Sequence, residues 1–173
     1  GGHTNALRNQ TQKRLDRNFL GIETQVTSTK TDQISNYIGA GKPEHRETHL
    51  PVIPATQRSE INSNLDEGDF TQARSRTTRP AQGHLGKIPL LFVIKKHTGI
   101  LGQFIEWSKS LRDEVQNLPI LLIDDEADYA SVDTSKPEED PSRTNALIRE
   151  ILSIYSKSGY VAYTATPFAN MFI

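Results

Sequence analysis

The stretch Pro119-Ile120-Leu121-Leu122-Ile123-Asp124-Asp125-Glu126-Ala127-Asp128 constrains this chain more than any other: an apolar run stops abruptly in four carboxylates within five residues. A buried strand that delivers acids to its C-terminal edge is a common way to build a nucleotide and metal site. The blander account is that any buried strand must exit into solvent, and acidic residues suit that exit. A second string bears on the choice. Tyr160-Val161-Ala162-Tyr163 is another short apolar run, and it ends in Thr164-Ala165-Thr166-Pro167.

Around these strings the spacing predicts alternating strands and helices. Thr4 can cap a helix to about Phe19, with Leu7, Thr11, Leu15 and Phe19 on one face and Arg8, Lys13, Arg14 and Arg17 making it the most basic segment. Residues 21–87 are polar and loop-rich, an insertion with one weak strand candidate at Leu50 to Ala55 and a short helix near Asp69 to Arg76. Ile88 to Ile94 reads as a strand buried on both faces, ending in Lys95-Lys96-His97. Thr98 can then cap a helix to about Gln116, with Leu101, Phe104, Ile105, Ser108, Leu111 and Val115 as its buried stripe. After the acidic strand, Tyr129 to Asp140 is too polar for a strand. Asp140-Pro141 opens a helix with Leu147, Ile148, Ile151, Leu152 and Tyr155 inward. Apolar strands alternating with amphipathic helices predict an α/β fold, a parallel sheet with helices on both faces.

A strand ending in Asp-Glu-Ala-Asp, a helix, and a strand ending in Thr-Ala-Thr-Pro resemble motifs II and III of superfamily 2 helicases and translocases. More narrowly, LLIDDEADYASVDT, DPSRTNALIREILSIYSKSGYVAYTATPFANMFI and TNALRNQTQKRLD resemble the "Z-one" domain endonuclease family, which is associated with such helicases. The likeness covers the first twenty residues and most of the last sixty, and is faint between them. It implies a partial RecA-like lobe of the P-loop NTPase kind, working with ATP and Mg²⁺.

On that resemblance each residue has a task. Asp125 would hold Mg²⁺, through a water, because this hard cation takes oxygen ligands and dehydrates reluctantly. Asp124 is the one-step alternative, since the helicase pattern commonly has an apolar residue before the Asp-Glu pair. Glu126 would orient and deprotonate the water attacking the γ-phosphate. Asp128 would link to Thr164 and Thr166, whose hydroxyls can accept and donate as the nucleotide state changes. Thr4, Asn5 and Arg8 take the place of motif Ia, and Lys95 and Lys96 approximate motif Ib. The resemblance therefore makes these five contacts to the phosphates of a nucleic acid, DNA by the family association. Charge runs and lysine-bearing loops are also ordinary solvated surface.

Composition sets the outer limits. The 173 residues amount to one partial domain, 1–173, long enough to bury a core. With 20 basic and 21 acidic residues the net charge is -1, so any nucleic-acid contact must be local. The absence of cysteine excludes disulfides and thiolate metal sites and fits a cytoplasmic protein. No apolar run approaches the roughly 20 residues that span a bilayer, which predicts no membrane partner. The chain begins at Gly1-Gly2-His3-Thr4 and stops inside the apolar Met171-Phe172-Ile173, so it reads as an internal fragment lacking its first strand and phosphate-binding loop. A second helicase lobe would lie in the same full-length protein. The fragment alone is expected to be inactive in ATP hydrolysis.

Two other motifs fail on their residues. Gly39-Ala40-Gly41-Lys42 is not a phosphate-binding loop, because Asn36 stands where glycine is needed and Pro43 where a hydroxyl must meet magnesium. His45-Arg46-Glu47-Thr48-His49 places its acid midway between the histidines, unlike a zinc protease.

Three functions remain open. The first is an ATP-dependent DNA helicase or translocase serving restriction, repair or phage defence, with a nuclease or repair partner. The second is a metal-dependent endonuclease using the same carboxylates, although no Asp or Glu here has a Lys two residues later. The third is a non-catalytic nucleic-acid-binding scaffold.

Overall fold

The structure is a computed structural model that describes residues 4–24, 52–58, 68–77, 86–125, 127 and 141–164. Its elements are mixed α/β, and the chain divides into two compact units, one reaching Lys95 and the other starting at Lys96. The described strands form two parallel pairs.

In the first unit, helix α1 (Asn5–Leu15) starts where Thr4 predicts, with Thr4 Oγ1 accepting from the Leu7 N–H at 3.3 Å. It runs into a wider π turn over Asp16–Leu20, closed by the Gly21 N–H on the Asp16 carbonyl at 2.8 Å. Gly21 ends it at φ 71°, a left-handed conformation that costs glycine little. The buried face is not the predicted one. Phe19 is exposed, and Leu7, Thr11 and Leu15 are half-buried. The buried positions are Arg8, Gln12, Asp16 and Leu20, one step round the helix.

That rotation follows from hydrogen bonding, because a buried polar group is tolerated when its partners are supplied. Gln12 donates to Asp16 Oδ1 at 3.0 Å and accepts from Thr56 Oγ1 at 3.0 Å. Asp16 also accepts from the Thr24 N–H and hydroxyl, each within 3.0 Å. Thr56 in turn accepts from the Val93 N–H at 2.8 Å. The core of this unit is thus a connected polar network beside the apolar Leu20, Ile22, Phe70 and Val93.

Strand β1 (Ile53–Pro54) pairs in parallel with β2 (Leu90–Leu91), registering Ile53 with Leu90 and Pro54 with Leu91. The ladder stays short because Pro54 and Pro89 have no N–H to donate. The predicted strand over Ile88 to Ile94 is therefore only two residues long here, and the Thr56 hydroxyl takes the Val93 N–H where a ladder bond would otherwise lie. Between these strands in sequence lies helix α2 (Gln72–Thr77), and Phe70 meets Phe92 edge to face at 5.2 Å.

In the second unit, helix α3 (Thr98–Ser110) is capped one residue earlier than predicted: His97 Nδ1 accepts from the Gly99 N–H at 3.2 Å. Its buried residues are Ile100, Leu101, Phe104, Ile105, Trp107 and Ser108. Leu111 interrupts the helix, and a single turn, α4 (Arg112–Val115), follows. Strand β3 (Pro119–Asp125), helix α5 (Pro141–Ile154) and strand β4 (Lys157–Tyr163) complete the unit. Helix α5 begins at Pro141 as expected, packs on α3 and buries Ile148 and Ile151, and Tyr155 just past its end shares a 2.9 Å hydroxyl bond with Ser108.

Strands β3 and β4 pair in parallel over their whole length, from Pro119 opposite Lys157 to Asp125 opposite Tyr163. A parallel pair joined through a helix is the βαβ unit. Its two faces differ. Leu121, Ile123, Val161 and Tyr163 are exposed on one, with Leu121 at 65 % and Ile123 at 56 %. The described elements are mixed α/β, parallel strand pairs with helices, as the alternation predicts.

Candidate active site at the acidic strand end

Parallel pairing decides what meets at the carboxyl edge of the second unit. Asp125 lies opposite Tyr163, so Asp125 and Thr164, the residue after Tyr163, stand at the same end of the strand pair. Thr164, half-buried, is the first residue beyond β4. Glu126, Asp128 and Thr166, which would supply the base and the coupling link, lie outside the described residues. So do 36–49, the stretch with the two rejected motifs, and the polar segment 129–140.

Strand alternation sends the two described acids to opposite faces. Asp124 points inward, 7 % exposed, and both its oxygens are engaged. Lys96 Nζ lies 2.8 Å from Oδ1 with its own side chain equally buried, and Tyr160 Oη donates to Oδ2 at 2.8 Å. Tyr160 reaches it diagonally, since its direct cross-strand neighbour is Leu122. Desolvation first, and then donation to the Asp124 carboxylate and its charge, push the Tyr160 phenol up to about 12. Asp125 is exposed.

These positions differ in what they can hold. Mg²⁺ takes oxygen ligands and keeps several waters. An exposed carboxylate at a strand end fits that ion, while one already bound by an ammonium and a phenol does not. Among the described residues no three histidine, cysteine or acidic side chains are grouped so as to enclose a metal.

The nucleic-acid candidates are dispersed. Thr4, Asn5, Arg8 and Lys95 belong to the first unit, Lys96 to the second. Thr4 is exposed at the cap of α1, and Asn5 Oδ1 is buried with no hydrogen-bond partner among the described residues. Arg8 is not placed to meet a phosphate. At 1 % exposure its guanidinium donates to the carbonyls of Gln57 at 3.0 Å and of Gly68 and Val93 at 3.4 Å, with Nε 3.7 Å from Asp69 Oδ2. Asp69 also accepts from the Lys95 N–H at 3.1 Å, which fixes the backbone there. Lys96 is likewise committed, to Asp124. Burial lowers the pKa of Arg74 from its ordinary value, and Asp69 partly offsets this.

Sequence reasoning missed Tyr160 as a partner of Asp124 and the inward set Arg8, Gln12 and Asp16. Polar residues at every fourth position of α1 were the available signal. Compared with family models, curated proteins and solved structures, the chain matches none.

Proposed function

We propose that this chain is part of an ATP-driven nucleic-acid motor of the superfamily 2 helicase or translocase type, acting on DNA, with the acidic strand end as its Mg²⁺-ATP hydrolysis element. The observation that carries the proposal is the parallel register of β3 and β4. It brings the exposed Asp125 and the start of the Thr-Ala-Thr string to one carboxyl edge, where open α/β sheets bind ligands. In this assignment Asp125 binds hydrated Mg²⁺, Glu126 holds and deprotonates the attacking water, and Asp128 with Thr164 and Thr166 transmits the nucleotide state. Bound Mg²⁺ supplies charge stabilisation to the phosphoryl group. A RecA-like lobe, a second lobe and an upstream phosphate-binding loop belong to the same proposal.

The test is ATP hydrolysis by the full-length protein, with and without single- and double-stranded DNA, beside Glu126→Gln. DNA-stimulated hydrolysis that disappears in the variant supports the motor. No hydrolysis, with DNA cut in a magnesium-dependent and ATP-independent way, replaces it with an endonuclease. DNA binding with neither reaction leaves a scaffold.

A further inference from the structure

Adjacent aspartates at a strand end pose a chemical problem. Two such carboxylates would compete for one cation, and the stronger competitor would set its position. In the second unit strand alternation parts the two, and a lysine from outside the strand occupies the inward one. Lys96 stands directly before the α3 cap, His97, whose carbonyl accepts from the Leu101 N–H at 3.0 Å and whose ring caps Gly99. The helix start thereby fixes the backbone from which the Lys96 side chain extends. Its ammonium meets Asp124 Oδ1 at 2.8 Å, and Tyr160 of the neighbouring strand takes Oδ2.

We propose that Lys96 is a positioning residue: by holding Asp124 on the inner face of the β3–β4 pair, it leaves Asp125 as the aspartate of β3 presented to a divalent cation. What Asp125 does there rests on the metal-binding assignment above; the clamp itself does not. The physical reason is twofold. An ammonium at hydrogen-bond distance already neutralises Asp124, and binding a cation would mean breaking a buried ion pair and leaving Lys96 charged and unpartnered by Asp124. The triad also ties three elements together, the start of α3, β3 and β4, and the two charged members, Lys96 and Asp124, are buried.

The experiment uses Mn²⁺ as the probe, with free ion counted by electron paramagnetic resonance, on the unaltered protein and on D125N, D124N, K96M and K96R. D125N is expected to weaken binding about tenfold or more, and D124N to leave the dissociation constant nearly unchanged. K96M, by removing the counter-charge from Asp124, is expected to tighten Mn²⁺ binding severalfold or add a second bound ion, and K96R to restore the original behaviour. A purely structural lysine would not raise metal affinity. A thermal double-mutant cycle on K96M and D124N is run beside it. Strong non-additivity, with the double variant melting no lower than K96M, supports the clamp. Additive losses overturn it, as does a D124N loss of Mn²⁺ binding equal to that of D125N. If the unaltered protein binds no Mn²⁺, the metal assignment fails and the cycle alone decides the clamp. K96Q, which removes the charge but keeps a polar side chain, takes the place of K96M in the cycle if K96M does not fold.

Discussion

Tyr160 Oη donates a 2.8 Å hydrogen bond to Asp124 Oδ2 across the parallel pair, two residues off the direct register. The bond joins β3 and β4 by side chains as well as by backbone, close to the edge where the acidic string leaves the sheet.

Removing that donor has a cost that the exposure of the ring moderates. Tyr160→Phe is expected to destabilise the protein by about 1 kcal/mol, below the range of about 1.5–3 kcal/mol for hydrogen bonds to charged groups. Urea denaturation at neutral pH measures it, and a midpoint unchanged by the substitution would contradict the bond.

The same phenol predicts a pH dependence. Its pKa is about 12 in the folded protein against the ordinary 10.0, so the folded state holds the proton more tightly. Between those values the unfolded chain binds fewer protons, and stability falls as pH rises. The contribution is fully present below pH 10 and is lost as pH climbs through the folded value. Absorbance of ionised tyrosine should show Tyr160 titrating late, with Tyr155 also late because of burial, opposed in part by its bond to Ser108.

Arg8 is a structural residue in this fold, and its loss should show in stability. Arg8→Met removes the guanidinium beside the buried Asp69 carboxylate and the donors that serve three carbonyls. Breaking one side of a buried pair costs about 3–5 kcal/mol. Denaturant unfolding of the first unit is the measurement, and a change below 1 kcal/mol, roughly the scale of a surface substitution, would contradict the assignment.

Gly68 is required for a related reason. A Cβ added there would stand 2.1 Å from the Gln57 carbonyl oxygen and 2.7 Å from an Arg8 nitrogen. The first of these is backbone and cannot swing aside. Gly68→Ala is expected to cost about 1–3 kcal/mol by overpacking, whereas Gly102→Ala, where a Cβ meets nothing within 4 Å, should not destabilise α3.

The exposed face of β3 makes the opposite prediction. Ile123→Thr should change stability by no more than about 0.5 kcal/mol, as at other surface positions, because the side chain loses little burial. A loss comparable to that of a core isoleucine would mean the face is covered.

What the sequence disclosed and what it withheld divide along range. Local signals were legible: Thr4 as a cap, Leu101, Phe104, Ile105 and Ser108 on the α3 stripe, Pro141 at a helix start, and both strand ends. They depend on neighbours within a turn or two. The buried face of α1 was not legible, because Arg8 is accommodated by carbonyls 49, 60 and 85 residues away. A periodic pattern of apolar residues cannot register such partners. The exposed face of β3 was not legible either, because a continuous apolar run ordinarily marks a strand covered on both faces. Within the candidate site, the acids and the threonine string were readable as a pair, while the fate of Asp124 depended on Lys96 and Tyr160, 28 residues before and 36 after it.

The most direct measurement of the central claim is magnesium-dependent ATP hydrolysis by the full-length protein on DNA, comparing D125N with D124N at equal folded fraction. The account predicts DNA-stimulated hydrolysis that D125N abolishes and that D124N retains in large part. Equal loss in both variants, or no hydrolysis in the unaltered protein, would contradict it.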